Sequence, residues 1–152
     1  MECYEGATMI KTFRGTMADQ TQDTIVLHTN DGSVGYRIVK LQMIPKEAGG
    51  ADIEGTLKVY KVSQTTIDRT IDFSDDTLLG GGFSSYRDNS FFNEVYIFDN
   101  EIFNQDIYIT YFDSSTGQPM NYYLELEQVK LDLSENTVAT LKNIRNLEAG
   151  IP

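Results

Sequence analysis

Few side chains in this sequence are equipped for chemistry. Its 152 residues hold one histidine, His28, and one cysteine, Cys3. Histidine is the side chain whose unperturbed pKa lies nearest neutrality, so His28 alone could act as the base of a nucleophilic triad. It follows Leu27 at the end of a strand pattern with no nucleophile motif beside it, and reads as a solvent-touching structural residue. A lone Cys3 makes neither an intrachain disulfide nor a cysteine-based zinc site. Glycoside hydrolysis needs two carboxylates at a set separation, but among 23 acidic residues some pair meets that distance by accident. Two runs offer oxygen ligands to a hard cation: Asp72, Asp75 and Asp76, and Asp99, Asn100 and Glu101. Neither has the spacing of a calcium loop, and Asp and Asn populate turns because their side chains bond adjacent backbone. Gly80-Gly81-Gly82 leads into Phe83 without the lysine or the helix of a phosphate-cradling loop, and reads as a flexible turn. Tyr36, Tyr60, Tyr86, Tyr96 and Tyr108 are candidate sugar platforms, but the chain has no Trp. No catalytic set, metal or cofactor is expected.

Composition narrows the partners. Twelve Lys and Arg against 23 Asp and Glu give a formal charge of −11, which disfavours the nucleic-acid backbone; the only concentration of cations, Lys142 to Arg145, is too thin to reverse that. At most four apolar residues occur in succession, at Val95-Tyr96-Ile97-Phe98, far from the ~20 of a membrane-spanning helix. Met1 to Glu5 lack the basic and apolar regions of a secretory signal, so assembly in the cytosol is the expectation.

The elements that must position these residues repeat with a period of two, as in an all-β domain. Strands are expected over Met9 to Met17, Asp23 to His28, Val34 to Ile44, Ile53 to Val62, Phe91 to Phe98, Gln105 to Phe112 and Asn121 to Leu133. Asp31-Gly32 suits a type I′ turn, so the second and third strands should pair, and the last two should form a hairpin. Phase slips predict β-bulges near Ile38-Val39 and near Glu127-Gln128. Lys58 and Tyr60 alternate with Leu57 and Val59, as in a half-buried strand. Ser63 to Asn89 reads as a long excursion with one short strand. After Ser134, Val138, Leu141 and Ile144 recur every three residues, as in a short C-terminal helix; a terminal strand or arm is the alternative. Seven or eight such strands fit a single-domain, two-sheet β-sandwich, of which a jelly roll is one form, with 1–8 as an N-terminal arm and 134–152 as a C-terminal helix or arm. The strand Gln105 to Phe112 is apolar on both sides, so Tyr108 and Phe112 form an outer aromatic face suited to a partner.

Several stretches resemble a family of small virion structural proteins of marine tailed bacteriophages, including those infecting cyanobacteria. They are Met9 to Gly15, Val34 to Lys40, Ile71 to Asp75 with Thr77 to Gly80, Ile97 to Tyr108, and Asn121 to Glu127 running on to Thr137 to Asn146. Met1 to Thr8 and Ser84 to Ser90 match nothing in that pattern. The resemblance implies a non-enzymatic particle component, localised to the virion after assembly in the host cytoplasm. A capsid decoration or cement protein is the favoured form. It would bind the major capsid protein or other virion subunits and form a homo-oligomer, with neither nucleic acid nor membrane as partner. A tail, neck or fibre-attachment component, or a host-receptor or carbohydrate-binding module, is the alternative. Expected contact residues are Met1, Cys3 and Tyr4 of the N-terminal arm, Tyr108 and Phe112 of the aromatic face, and Val138, Leu141 and Ile144 near the C-terminus, because termini with little core content are ordered chiefly by docking.

Overall fold

A computed structural model describes residues 9–29, 32–88 and 90–131. All regular structure among them is β: β1 (Met9–Met17), β2 (Thr21–Ile25), β3 (Val34–Pro45), β4 (Ile53–Tyr60), β5 (Leu78–Arg87), β6 (Ser90–Phe98), β7 (Ile107–Asp113) and β8 (Met120–Lys130). They form two antiparallel sheets, β1-β8-β3 and β2-β7-β4-β5-β6. Period-two alternation turns one side of each strand inward. Leu57 and Val59 of β4, Ile107, Ile109 and Tyr111 of β7, Leu124 and Leu126 of β8, and Ile38, Leu41 and Met43 of β3 fill the space between the sheets. The expected arm at 1–8 and the helix or arm at 134–152 lie outside the described residues.

The bulge expected near Ile38-Val39 is present. Ile38 pairs with Leu126 and Lys40 with Glu125, so Val39 is the extra residue, and its side chain is exposed. The second slip is not a bulge: β8 keeps continuous register with β1 through Met9↔Gln128 and with β3 through Tyr36↔Gln128. Apolar Val129 takes an outward, partly covered place there.

Neither expected hairpin forms. β2 pairs with β7 and β3 with β8, in different sheets. The Asp106 carboxylate accepts the backbone N–H groups of Leu27 (2.8 Å) and His28 (3.0 Å), which turns the chain out of β2 before a two-residue turn can begin. β7 and β8 also lie in different sheets. Between them the buried Asp113 side chain accepts N–H bonds from Glu54, Ser115 and Gln118 at 2.7–3.0 Å. Gly117 at φ +75° then carries the chain across to the other sheet, a conformation that costs glycine nothing.

The triglycine is the largest departure from expectation. Gly80, Gly81 and Gly82 lie inside β5; at Gly80 and Gly82 another side chain presses on the strand, while Gly81 has room for a Cβ at ordinary contact distance. A Cβ on Gly82 would stand 2.4 Å from the Tyr96 ring, one on Gly80 2.7 Å from Phe98 Cβ, and one on Gly81 3.4 Å from Ile71. From its place on Gly82, Tyr96 reaches the other sheet. Its hydroxyl accepts the Met43 N–H at 3.0 Å, and its own proton faces the Glu94 carboxylate at 2.7 Å and the Met43 carbonyl at 3.1 Å. Burial, followed by the bond to Glu94, pushes this hydroxyl above the ordinary phenol range. Tyr96 thus satisfies part of the β3 edge. Tyr96→Phe keeps the ring and removes that acceptor, and should lower unfolding stability by about 1 kcal/mol in urea titration; an unchanged midpoint would show that the hydroxyl does not tie the sheets.

Candidate functional site

The outer face of the five-stranded sheet follows from its registers. Directly paired residues share a face, so Tyr108, Thr110 and Phe112 of β7 stand beside Tyr60, Lys58 and Thr56 of β4, and Lys58 and Thr56 stand beside Gly81 and Phe83 of β5. Beyond β5 come Ile97 and Val95 of β6. One row therefore runs Phe112, Thr56, Phe83, Val95 across four strands; the next runs Thr110, Lys58, Gly81, Ile97. Phe112 and Phe83 are half-buried, Val95 is 49% and Ile97 53% exposed. Tyr108 and Phe112 thus lie on this outer face, whose apolar side chains continue through Phe83, Val95 and Ile97, which sequence inspection missed. Phe83 was hidden by the misplaced excursion. The outward alternation of Val95 and Ile97 was a usable signal.

Half of this face is covered. Residues 61–77 return across the sheet as a strap, closed at its base by Lys61 N–H to Thr77 O at 2.8 Å. Lys58, read from sequence as the exposed side of a half-buried strand, is almost wholly buried beneath it. Its ammonium donates to Asp68 at 2.9 Å and to the Thr70 carbonyl at 2.7 Å and sits 5.5 Å from the centre of the Tyr60 ring. A buried ammonium needs such partners, and both come from the strap, so burial of the cation and placement of the loop are one event. Gln22 adds a second tie, accepting the Gln64 N–H at 2.8 Å and donating to Ser63 Oγ at 3.0 Å. The Lys58 hydrogen bond lowers the Asp68 carboxyl below its ordinary value, against a smaller opposing effect of burial. Burial raises the Tyr60 hydroxyl, against the opposing bond from Lys58. A hollow of about 530 Å³ under the strap is lined by Lys58, Tyr60, Asp68 and threonines. Tyr60 is buried there and Tyr36 is buried in the core, so neither is an exposed sugar platform.

The acidic runs also find ordinary employment. Asp72 accepts the Ser74 N–H at 2.9 Å, Asp75 accepts the Thr77 N–H at 2.9 Å, and Glu101 pairs with buried Lys61 at 2.5 Å. Asp75, Asp76, Asp99 and Glu101 line one open hollow with Phe73 and Ile97, which the separate sequence runs did not foretell. Among the described residues no group of three or more His, Cys, Asp or Glu side chains is placed to hold a metal ion. His28 is 53% exposed, and its ring Nδ1 lies 2.8 Å from Asp106. That carboxylate is also the one that turns the chain after β2; although burial opposes it, the bonds from His28 and Leu27 hold Asp106 below the usual range. Met1, Cys3, Tyr4, Val138, Leu141 and Ile144 lie outside the described residues. No protein-family model matches the sequence, and no curated protein is significantly similar to it.

The Lys58 tie has two measurable consequences. Asp68 has a folded pKa below its unfolded one, so the stabilisation it gives is complete above about pH 4 and disappears as pH falls through the lowered value. Lys58→Met fills the same space without the charge and leaves behind only a half-exposed carboxylate, so global stability at neutral pH should change little. Trypsin cleavage after exposed Arg69 should accelerate about tenfold as an order of magnitude, and the acid limb of the stability curve should become shallower. Unchanged cleavage would show that the strap is held by something else.

Proposed function

We propose that this chain is a non-enzymatic structural protein of a tailed-bacteriophage virion, most specifically a decoration or cement protein that adheres to the outer surface of the capsid. The observation that carries the reading is the strand order. In a jelly roll, strands 1, 8, 3 and 6 form one sheet and 2, 7, 4 and 5 the other, an architecture recurrent in capsid and lectin domains. Here the orders are β1-β8-β3 and β2-β7-β4-β5-β6. The order of seven strands supports that reading; β6 pairs with β5 instead of β3 and reaches β3 through the Tyr96 hydroxyl. We read the fold as a jelly roll with its sixth strand displaced to the neighbouring sheet.

Three further features support adhesion over turnover. The space between the sheets is filled by apolar side chains. The lone histidine's carboxylate partner is engaged in holding backbone. The outer face of the five-stranded sheet carries an apolar row ending in Val95 and Ile97 at about half exposure, the kind of surface that marks a protein contact. A charge of −11 keeps such a copy-numerous part off packaged DNA.

Mixing the purified chain with empty capsids is the test. A cement protein co-sediments with them and raises their melting temperature, because it binds the assembled state preferentially. Removal of residues 1–8 should abolish incorporation with the chain's own melting temperature unchanged. Co-sedimentation with tails alone, or binding to a glycan array without capsid binding, would overturn the assignment in favour of an attachment or receptor-binding part.

A further inference from the structure

A sheet edge is a template for another strand unless something blunts it, and the edges of this molecule are not treated alike. β1 carries Lys11 and Arg14 along its length. β2 has only five residues, with Asp23 at its centre. The β3 edge is occupied: Tyr36 exchanges backbone bonds with Phe103 at 2.8 and 2.9 Å, and the Met43 N–H goes to the Tyr96 hydroxyl at 3.0 Å. β6 has Glu94 at its centre and a bulge where its register with β5 shifts between Phe91 and Asn93, but it is not short, and no other described segment occupies it. Its nine residues, Ser90–Phe98, include no Pro, Lys or Arg and a single charge, Glu94, and among the described strands it pairs with β5 alone. Its outward-facing Val95 and Ile97 are half exposed, an uncommon choice for an unpaired edge.

We propose that β6 is the edge through which two copies of this chain associate, pairing antiparallel about a two-fold axis so that the five-stranded sheets become continuous. The sequence of β6 selects the register. Centring the axis on Glu94 would set two carboxylates directly opposite, which is unfavourable. Centring it on Tyr96 sets Val95 of each copy against Ile97 of the other, twice by symmetry, and places each Glu94 opposite Phe98. This register extends the apolar row of the outer face across the junction. In this register residues 94–98 of the two copies pair, a five-residue overlap that belongs to the small-interface class, below roughly 1,200 Å² in total, so the dimer is concentration-dependent. Each copy carries −11, so screening by salt strengthens association. The inference does not rest on the capsid reading, and its test contains no capsid.

Sedimentation velocity of the full chain, with reductant present so that Cys3 forms no cross-link, is the first measurement. Monomer should give way to dimer as concentration rises, and at lower concentration in 0.5 M than in 0.05 M salt. Val95→Lys with Ile97→Lys should remain monomeric at every concentration with an unchanged melting temperature, since both side chains are half exposed. Thr24→Lys, on the outer face of short β2, should dimerise as the parent does. Hydrogen exchange gives an independent readout: amides of β6 should gain protection with concentration while those of β1 do not. A chain monomeric throughout, a dimer indifferent to the two lysines, or protection that grows on β1 instead of β6 would each overturn the proposal.

Discussion

The structure depends on tyrosine rings laid on glycines. Two sheets packed face to face stand about 10 Å apart, close to the reach of a tyrosine from one backbone to the opposite layer. A ring can lie flat enough to make that crossing only where the strand beneath it has no Cβ. Gly82 supplies the place for Tyr96, Gly15 for Tyr122, and Gly55 for Tyr111. Each hydroxyl has a different fate. Tyr96 bonds the backbone of β3. Tyr122 bonds Asp23 of β2, and burial together with that carboxylate pushes it up to about 12. Tyr111 is wholly buried, with no hydrogen-bond partner for its hydroxyl among the described residues, and burial raises it further. Two of the three thus tie one sheet to the other near the opposite edges of the sandwich, and the third contributes volume to the core.

A second constraint acts on the outside. Placing a lysine in the middle of β4 obliges the chain to bring a counter-charge to it, and residues 61–77 do so. The strap divides the outer face into a covered polar half over Lys58 and Thr110 and an open apolar half through Phe83, Val95 and Ile97. The opposite face of the molecule differs in kind. Arg37 pairs with Glu127, Lys40 sits 5.7 Å from the centre of the Tyr123 ring, and Tyr123 donates to Glu125 at 2.8 Å, all outward on β3 and β8. That face also carries exposed Ile10 and Ile44. The two outer faces thus differ in how their charges are paired, while both carry exposed apolar side chains.

What the sequence disclosed follows from which forces are local. Strand existence was legible because β-branched and aromatic alternation is a local signal: Met9 to Met17 coincides with β1, and the Val39 bulge was visible as a phase slip. Pairing was not legible. Asp31-Gly32 and the polar run after Asp113 have hairpin chemistry, but Asp106 and Asp113, remote from or hidden in those turns, capture backbone N–H groups and send the chain to the other sheet. The slip at Glu127-Gln128 was answered by tolerance of an outward valine instead of an extra residue. Gly80 to Gly82 read as a turn because glycine is a turn former on average; here the roles of Gly80 and Gly82 are set by Phe98 and Tyr96 on the next strand. Lys58 read as exposed because its partners are ten and twelve residues away in a segment with no periodicity. The outward placement of Tyr108 and Phe112 was legible because apolar residues fill both phases of one strand; the neighbouring Phe83, Val95 and Ile97, on other strands, were not.

The joining of the two sheets rests most directly on the Tyr96 crossing over Gly82. A double-mutant cycle of Gly82→Ala and Tyr96→Ala, read as unfolding free energies in urea, tests it directly. With Tyr96 present the added methyl should cost about 1–3 kcal/mol through overpacking. With Tyr96 removed it should cost nothing or stabilise by about 0.5 kcal/mol, since alanine is the better strand residue, giving a coupling of at least about 1 kcal/mol. An equal cost in both backgrounds would contradict the account, because the glycine would then be required by its own strand and not by the ring that rests on it.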